Sequence, residues 1–62
     1  MPLIEVRAFE SRFADEARTK ELIAALTDAL VSLYGEDVRA ETWVIVDGVS
    51  PAHWGFGGEV RS

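Results

Sequence analysis

The second residue of the chain is the one whose chemistry depends most on its position. Pro2 follows Met1, and methionine aminopeptidases generally remove a methionine that precedes a small residue such as proline. The processed chain would begin with a secondary amine, and an α-amino group titrates near about 7.7–8.0 in solution. Burial among apolar groups and nearby positive charge lower such a pKa toward neutrality, where a base transfers protons efficiently. Proline is also permitted at the start of a strand, so Met-Pro alone does not separate a catalytic base from a structural residue.

The segment after this proline predicts a strand and then a helix. From Leu3 to Phe9, apolar residues alternate with charged ones, which is the period-2 pattern of a strand. A short connection follows, in which Asp15 is a candidate helix N-cap. Apolar residues then recur at three- and four-residue spacing, which predicts an amphipathic helix of about five turns, with Gly35 placed to end it. The spaced residues are Leu22, Ile23, Leu26, Leu30, Leu33 and Tyr34.

A second strand and a glycine-rich tail complete the chain. Residues 42–46 are rich in β-branched and aromatic side chains and predict a strand, which the Asp-Gly pair at 47–48 is expected to end. A Ser-Pro pair marks a turn at Pro51. Residues 53–59 carry three glycines, too many for a helix, and predict short extended pieces.

The order of strand, helix and strand predicts an α+β fold in a single domain spanning residues 1–62. We expect a β-α-β subunit with a parallel strand pair, one long helix and a short C-terminal extended segment. Such a unit leaves one sheet face and both sheet edges uncovered. The chain has 62 residues, is 48% hydrophobic and has no cysteine, so it is short of a self-sufficient core and has no disulfides to compensate. We therefore expect a homo-oligomer that forms by sheet pairing.

Composition and charge exclude several function classes. The 6 basic residues are outnumbered by 11 acidic ones, which argues against nucleic-acid binding because Lys and Arg must neutralise the phosphates. No apolar run has the length of a membrane span and the first residues lack a signal-peptide pattern, so we expect no membrane partner and a cytoplasmic location. With His53 as its one histidine and no cysteine, the chain predicts no metal site and no cofactor.

Several segments together resemble the 4-oxalocrotonate tautomerase family of the tautomerase superfamily. They are the opening PLIEV of residues 2–6, Arg12 after the first strand, the long helix, and the late HWGFGG of residues 53–58. The resemblance covers nearly the whole chain. It implies a β-α-β subunit assembled as dimers, often three dimers in a hexamer. It also implies enol–keto tautomerisation of an unsaturated 2-oxo acid, with the N-terminal proline as general base and acid.

The resemblance also implies roles for particular residues. Pro2 matches the catalytic proline, and Arg12 matches an arginine that binds a substrate carboxylate, for which the guanidinium fork is suited. Trp54 matches an aromatic residue that lines the pocket and keeps the pKa of the amine low by desolvation. Trp43 stands where the family has a second arginine. A pocket of Trp43, Trp54 and Phe9 would suit a more apolar or aromatic enol than the family's dicarboxylates.

Two other functions stay open beside the tautomerase. Hydration or hydrolytic dehalogenation occurs in the same superfamily and needs a carboxylate to activate water, but Phe56 stands where those members have a glutamate, and Glu59 matches ordinary tautomerases. A catalytically inactive oligomeric scaffold is the other alternative, with Trp43 as the mark of lost catalysis. Arg39 lies four residues before Trp43, and simple strand geometry does not put it where the missing arginine would be.

Overall fold

The computed structural model describes residues 1–60, which form a β-α-β unit followed by a small hairpin. The parallel pairing of the two long strands confirms the sequence-based prediction of the fold class. The strands and the helix are β1 Leu3–Phe9, α1 Glu16–Tyr34, β2 Trp43–Val49, β3 Gly55–Phe56 and β4 Glu59–Val60. Three short 3₁₀ turns, Glu10–Phe13, Glu36–Glu41 and Pro51–His53, connect them.

The strands β1 and β2 present two different faces. Their register pairs Leu3 with Trp43 at one end and Phe9 with Val49 at the other. On the inner face the side chains are half-buried, and α1 lies closest to β2 on this side. The half-buried residues of this face are Ile4, Val6 and Ala8 of β1 with Val44 and Val46 of β2. On the outer face, Leu3, Trp43 and Ile45 keep 51%, 57% and 47% of their surface in water, so this apolar face lacks a cover within one chain.

Local signals in the sequence define both ends of α1. Before its first turn, the Asp15 carboxylate accepts hydrogen bonds from the backbone N–H groups of Ala17 at 2.9 Å and Arg18 at 3.3 Å. After its last turn, Gly35 adopts a φ of 98° and its N–H donates to the Val31 carbonyl at 2.8 Å. The N-cap and the terminating glycine are therefore where the sequence predicts them. Its half-buried residues include Leu22, Ile23, Leu26, Leu30 and Val31, whereas Leu33 and Tyr34 are exposed.

The prediction that β2 ends at the Asp-Gly pair is wrong, because the strand continues through residues 47 and 48 to Val49. The last residues of β1 pair with this segment and extend the ladder. The position of Gly48 leaves no room for a side chain, because an added Cβ would lie 2.9 Å from Cα of Glu10. A glycine inside a strand here marks a close backbone approach and not a break.

The glycine-rich tail forms an antiparallel hairpin of β3 and β4. Gly55 pairs with Val60 and Phe56 with Glu59. Between the strands, Gly57 and Gly58 have φ values of 58° and 87°, so both turn residues occupy the left-handed region that a tight two-residue hairpin turn requires. The extended pieces expected from the sequence are present. Their pairing was missed, although a Gly-Gly dipeptide between short extended runs is a hairpin signal.

The described part of the chain has no fully buried residue, so its apolar core is only partly shielded from water. The radius of gyration is 14.4 Å, whereas a compact domain of this length has one of about 10.6 Å. The molecule is accordingly a flat slab of 43 × 25 × 14 Å. Within residues 1–60, no helix combines the length and the apolar character needed to cross a bilayer.

Candidate functional site

The parallel strand pair divides the predicted site residues into two groups at opposite ends of the sheet. At the amino end, the Trp43 backbone N–H donates to the Pro2 carbonyl at 3.0 Å. At the carboxyl end, the rings of Phe9 and Trp54 pack with centroids 4.5 Å apart. Seven residue-to-residue steps of extended chain lead from Pro2 to Phe9, which corresponds to about 23 Å. One copy of the chain therefore does not bring Pro2 to Trp54.

The amino-end group consists of Pro2 and Trp43. Pro2 is half-buried, and its carbonyl takes part in the ladder between the strands. The Trp43 side chain lies on the outer sheet face, opposite Leu3 in the register, and is more than half exposed. The Trp43 backbone thus contacts Pro2 across the strand pair, while the Trp43 ring lies on the sheet face opposite α1.

A short turn positions Trp54 at the carboxyl end. The Ser50 hydroxyl accepts a hydrogen bond from the Ala52 N–H at 3.3 Å, and Pro51 takes the first position of the 3₁₀ turn, where a missing N–H costs nothing. The backbone N–H of Trp54 donates to the Pro51 carbonyl at 3.2 Å as the chain leaves the turn. The indole ring then lies between two phenylalanines, with the Phe56 ring stacked at a centroid distance of 6.3 Å.

An open groove with a volume of about 470 Å³ lies beside this aromatic cluster. Its lining residues are Arg7, Val49, His53, Trp54 and Gly55. Arg7 was not predicted from the sequence, where it reads as an ordinary exposed charge of an alternating strand. Its spacing puts it on the same face as Phe9, but Glu5 shares that face, so the alternation alone does not mark Arg7.

The Arg7 guanidinium is held loosely. Its Nε lies 3.5 Å from Oδ2 of Asp47, the residue opposite Arg7 in the register, and both side chains are largely exposed. Within residues 1–60, the guanidinium forms this ion pair and makes no hydrogen bond. The terminal nitrogens of Arg7 therefore keep their donors available to a ligand.

Arg12 and Arg39 differ in how they are engaged. Arg12 lies exposed in the 3₁₀ turn after β1, and within the described residues its side chain makes no ion pair. Arg39 donates hydrogen bonds to Glu36 at 2.6 Å and Asp28 at 2.9 Å. The bond to Glu36, followed by the bond to Asp28, raises the pKa of Arg39. Arg39 thus ties the 3₁₀ turn before β2 to α1.

Metal ligands do not gather anywhere in residues 1–60: no group of three or more His, Asp or Glu side chains there could hold an ion. His53 is exposed in the turn that precedes Trp54, and it lines the groove. The donors that the groove offers to a ligand are therefore those of the guanidinium, the imidazole and the indole.

Comparison with known proteins gives a family match and a relative. The family model described as "Tautomerase enzyme" matches residues 2–62 of the chain. The probable tautomerase K2 of Dickeya dadantii (strain 3937) is 39% identical over 59 residues, which covers 95% of this chain and 85% of that protein. No solved structure matches the chain.

Proposed function

The chain belongs to the tautomerase family and has a tautomerase-type, isomerase function, and from this premise we propose that it converts unsaturated 2-oxo acids between their enol and keto forms with Pro2 as the base. The observation that carries the proposal is the family match, which begins at Pro2 and runs through the rest of the chain. Pro2 directly precedes β1, at the amino end of the strand pair, and is half-buried.

The chemistry requires the release of Met1. While Met1 is attached, the Pro2 nitrogen is an amide and has no basicity; after its removal the nitrogen is a secondary amine. In the keto-to-enol direction this amine takes a proton from the carbon next to the 2-oxo group, and the C–H bond breaks as an enolate forms. The protonated amine then gives the proton to the enolate oxygen, and an O–H bond forms; ketonisation runs the same steps in reverse. The proton balance closes without an oxidant, a reductant or a cofactor.

The proposed enzyme is a homo-oligomer, a dimer or a trimer of dimers, whose sites are shared between copies. A site that holds both Pro2 and Trp54 needs two chains, because these residues lie at opposite ends of the sheet in one chain. The accessible surface supports this reading: one copy exposes 4936 Å², whereas a folded monomer of this mass exposes about 4,000 Å². The outer face of Leu3, Trp43 and Ile45 is the apolar surface available for pairing.

The proposed substrates are monocarboxylate enols with an aromatic or apolar tail. Arg12 would bind the carboxylate, since its side chain is exposed and carries a fork of donors. Phe9, Trp43 and Trp54 would line the rest of the pocket. A second carboxylate on the substrate would lose its hydration beside these rings without gaining a cationic partner at position 43.

The test is the ketonisation of the enol of phenylpyruvate by protein whose Pro2 start has been verified by mass spectrometry. We expect Pro2→Ala to lower kcat by at least about 100-fold, since a positioned acid–base group contributes that much or more. A preparation that retains Met1 serves as the control, because its sequence is native but its Pro2 nitrogen is an amide. Full activity in either Pro2→Ala or the Met1-retaining protein would refute the proposal.

A further inference from the structure

The outer face of the sheet changes character along its length. At the amino end it exposes the apolar side chains of Leu3, Trp43 and Ile45, with Glu5 opposite Ile45 in the register. Toward the carboxyl end it carries the Arg7–Asp47 ion pair, and beyond this pair lies the Trp54 groove. The second half of the face therefore offers a cation beside an aromatic surface, and none of the residues that line the groove is acidic.

The described arginines differ in their access to this groove, and Arg12, exposed in the turn after β1, is not among the residues that line it. Arg39 is engaged by Glu36 and Asp28, away from the outer face. Arg18 lies on α1, which packs against the inner side of the sheet. Arg7 both lines the groove and keeps its terminal N–H groups without a hydrogen bond inside the described chain.

We propose that Arg7 is a specificity-determining residue of the Trp54 groove, where it serves beside Arg12 as a second cationic partner for the carboxylate of a ligand whose aromatic or apolar part lies on the indole. The choice of ligand class rests on the proposed function. A guanidinium with free terminal nitrogens can bond both oxygens of a carboxylate, and a flat ring stacks on Trp54 at little conformational cost. Asp47 lies 3.5 Å from Nε and offsets part of the charge, so it moderates the affinity of Arg7 for anions.

Binding of an inert pair of probes measures this role apart from catalysis. The acid is 3-phenylpropanoate and its neutral partner is 3-phenylpropanamide; neither has a 2-oxo group, so neither can tautomerise. Calorimetric titration of the full, assembled chain gives the Kd of each probe, and the ratio of the two Kd values isolates the contribution of the charge. We expect the wild type to bind the acid more tightly than the amide.

Two substitutions in the ion pair should change this ratio in opposite directions. Arg7→Gln should weaken binding of the acid by about tenfold or more and leave the amide unchanged, since a charged hydrogen-bonding partner is lost. Asp47→Asn should strengthen binding of the acid by about two- to fivefold, because the neighbouring carboxylate no longer offsets the charge of Arg7. Arg7→Lys should recover part of the loss, since it keeps the charge without the fork.

Arg18→Gln is the matched control, because it removes one exposed arginine from α1 and leaves the groove intact. Circular dichroism and sedimentation establish that each variant folds and assembles. The proposal is overturned by equal effects of Arg7→Gln and Arg18→Gln, by parallel loss of acid and amide binding, or by a wild type that binds no acid. Failure of the tautomerase proposal would be seen separately, in the phenylpyruvate assay of Pro2→Ala.

Discussion

At the scale of single residues, the arginines of this chain are distinguished by their partners. Arg39 makes two hydrogen bonds to carboxylates, and Arg7 makes one long ion pair. Arg12 is exposed in the turn that follows β1, where no ion pair with a described residue holds it. A cation that the fold leaves unengaged can bind a substrate without first breaking a contact, and a cation already tied to two carboxylates cannot.

Replacing Arg12 tests this distinction. We expect Arg12→Ala to reduce kcat/KM for a carboxylate substrate by about ten- to a hundredfold, because one charged hydrogen-bonding partner is lost, while the fold stays intact. Steady-state kinetics on the best enol substrate measures the effect. The control is Arg39→Ala, which removes the same charge from an engaged site and should leave kcat/KM unchanged. Equal kinetics for Arg12→Ala and the wild type would mean that Arg12 is not an anchor.

Position 43 is expected to set the preference between one and two carboxylates. Trp43→Arg adds a full positive charge to the strand that pairs with the segment after Pro2. It should therefore raise kcat/KM for a dicarboxylate enol relative to a matched monocarboxylate. Trp43→Phe is the control, because it removes the indole without adding charge. An unchanged ratio in Trp43→Arg would show that the side chain at this position does not face the bound substrate.

The site residues were predictable to different degrees. The family-like segments select Pro2 and Trp54 directly, since these stand in distinctive sequence contexts. Arg7 was not selected, because alternation makes every second residue of an edge strand exposed and charged, with nothing local to mark one of them. Its proposed role depends on Trp54, which is 47 positions later in the sequence, and the groove that they share is set by the fold of the tail.

At the scale of elements, local and non-local signals had different success. The ends of α1 follow from Asp15 and Gly35, which act on their own neighbours through backbone hydrogen bonds. The end of β2 depends on cross-strand pairing with residues 7–9, which lie far away in the sequence. An Asp-Gly pair that would end an isolated strand is therefore carried through by its partner strand.

Gly48 gives this difference a measurable consequence. An added Cβ would lie 2.9 Å from Cα of Glu10, and the backbone would have to shift to accept it. We expect Gly48→Ala to lower the free energy of unfolding by about 1–3 kcal/mol, the usual cost of overpacking. Urea denaturation followed by circular dichroism measures it.

The control for this prediction is another strand glycine, Gly55, where an added Cβ meets its nearest atom at 3.8 Å, an ordinary contact distance. Gly55→Ala should be nearly neutral by the same measurement. If the two alanine variants unfolded at the same urea concentration, close approach would not be the reason for glycine at position 48.

At the scale of the whole molecule, a single chain leaves part of its apolar surface uncovered. The described chain has no fully buried residue, and its outer sheet face exposes three large apolar side chains. The sequence predicted this deficit from length, hydrophobic content and element count alone. It did not predict that Pro2 and Trp54 lie at opposite ends of the sheet, because that depends on which end of a parallel pair each side chain occupies.

Mixed assemblies test whether sites are shared between copies. Pro2→Ala and Trp54→Ala should each be nearly inactive alone. Unfolded together in equal amounts and refolded, they should regain about one quarter of wild-type activity, since each site built from two chains then has one chance in four of being intact. Mixing the folded variants without refolding is the control for exchange, and sedimentation confirms assembly. No recovery after co-refolding would contradict a shared site.

Because Pro2 and Trp54 lie at opposite ends of one chain, the unit proposed to react is larger than a single chain. A single chain would carry its basic amine at one end and its aromatic groove at the other, and it would be inactive until it assembled with a second copy. Its specific activity would fall on dilution below the dissociation constant of the assembly, at unchanged chain sequence and substrate concentration. The turnover rate of such a protein would depend on the concentration of chains available to assemble, and therefore on the expression level as well as on the substrate concentration.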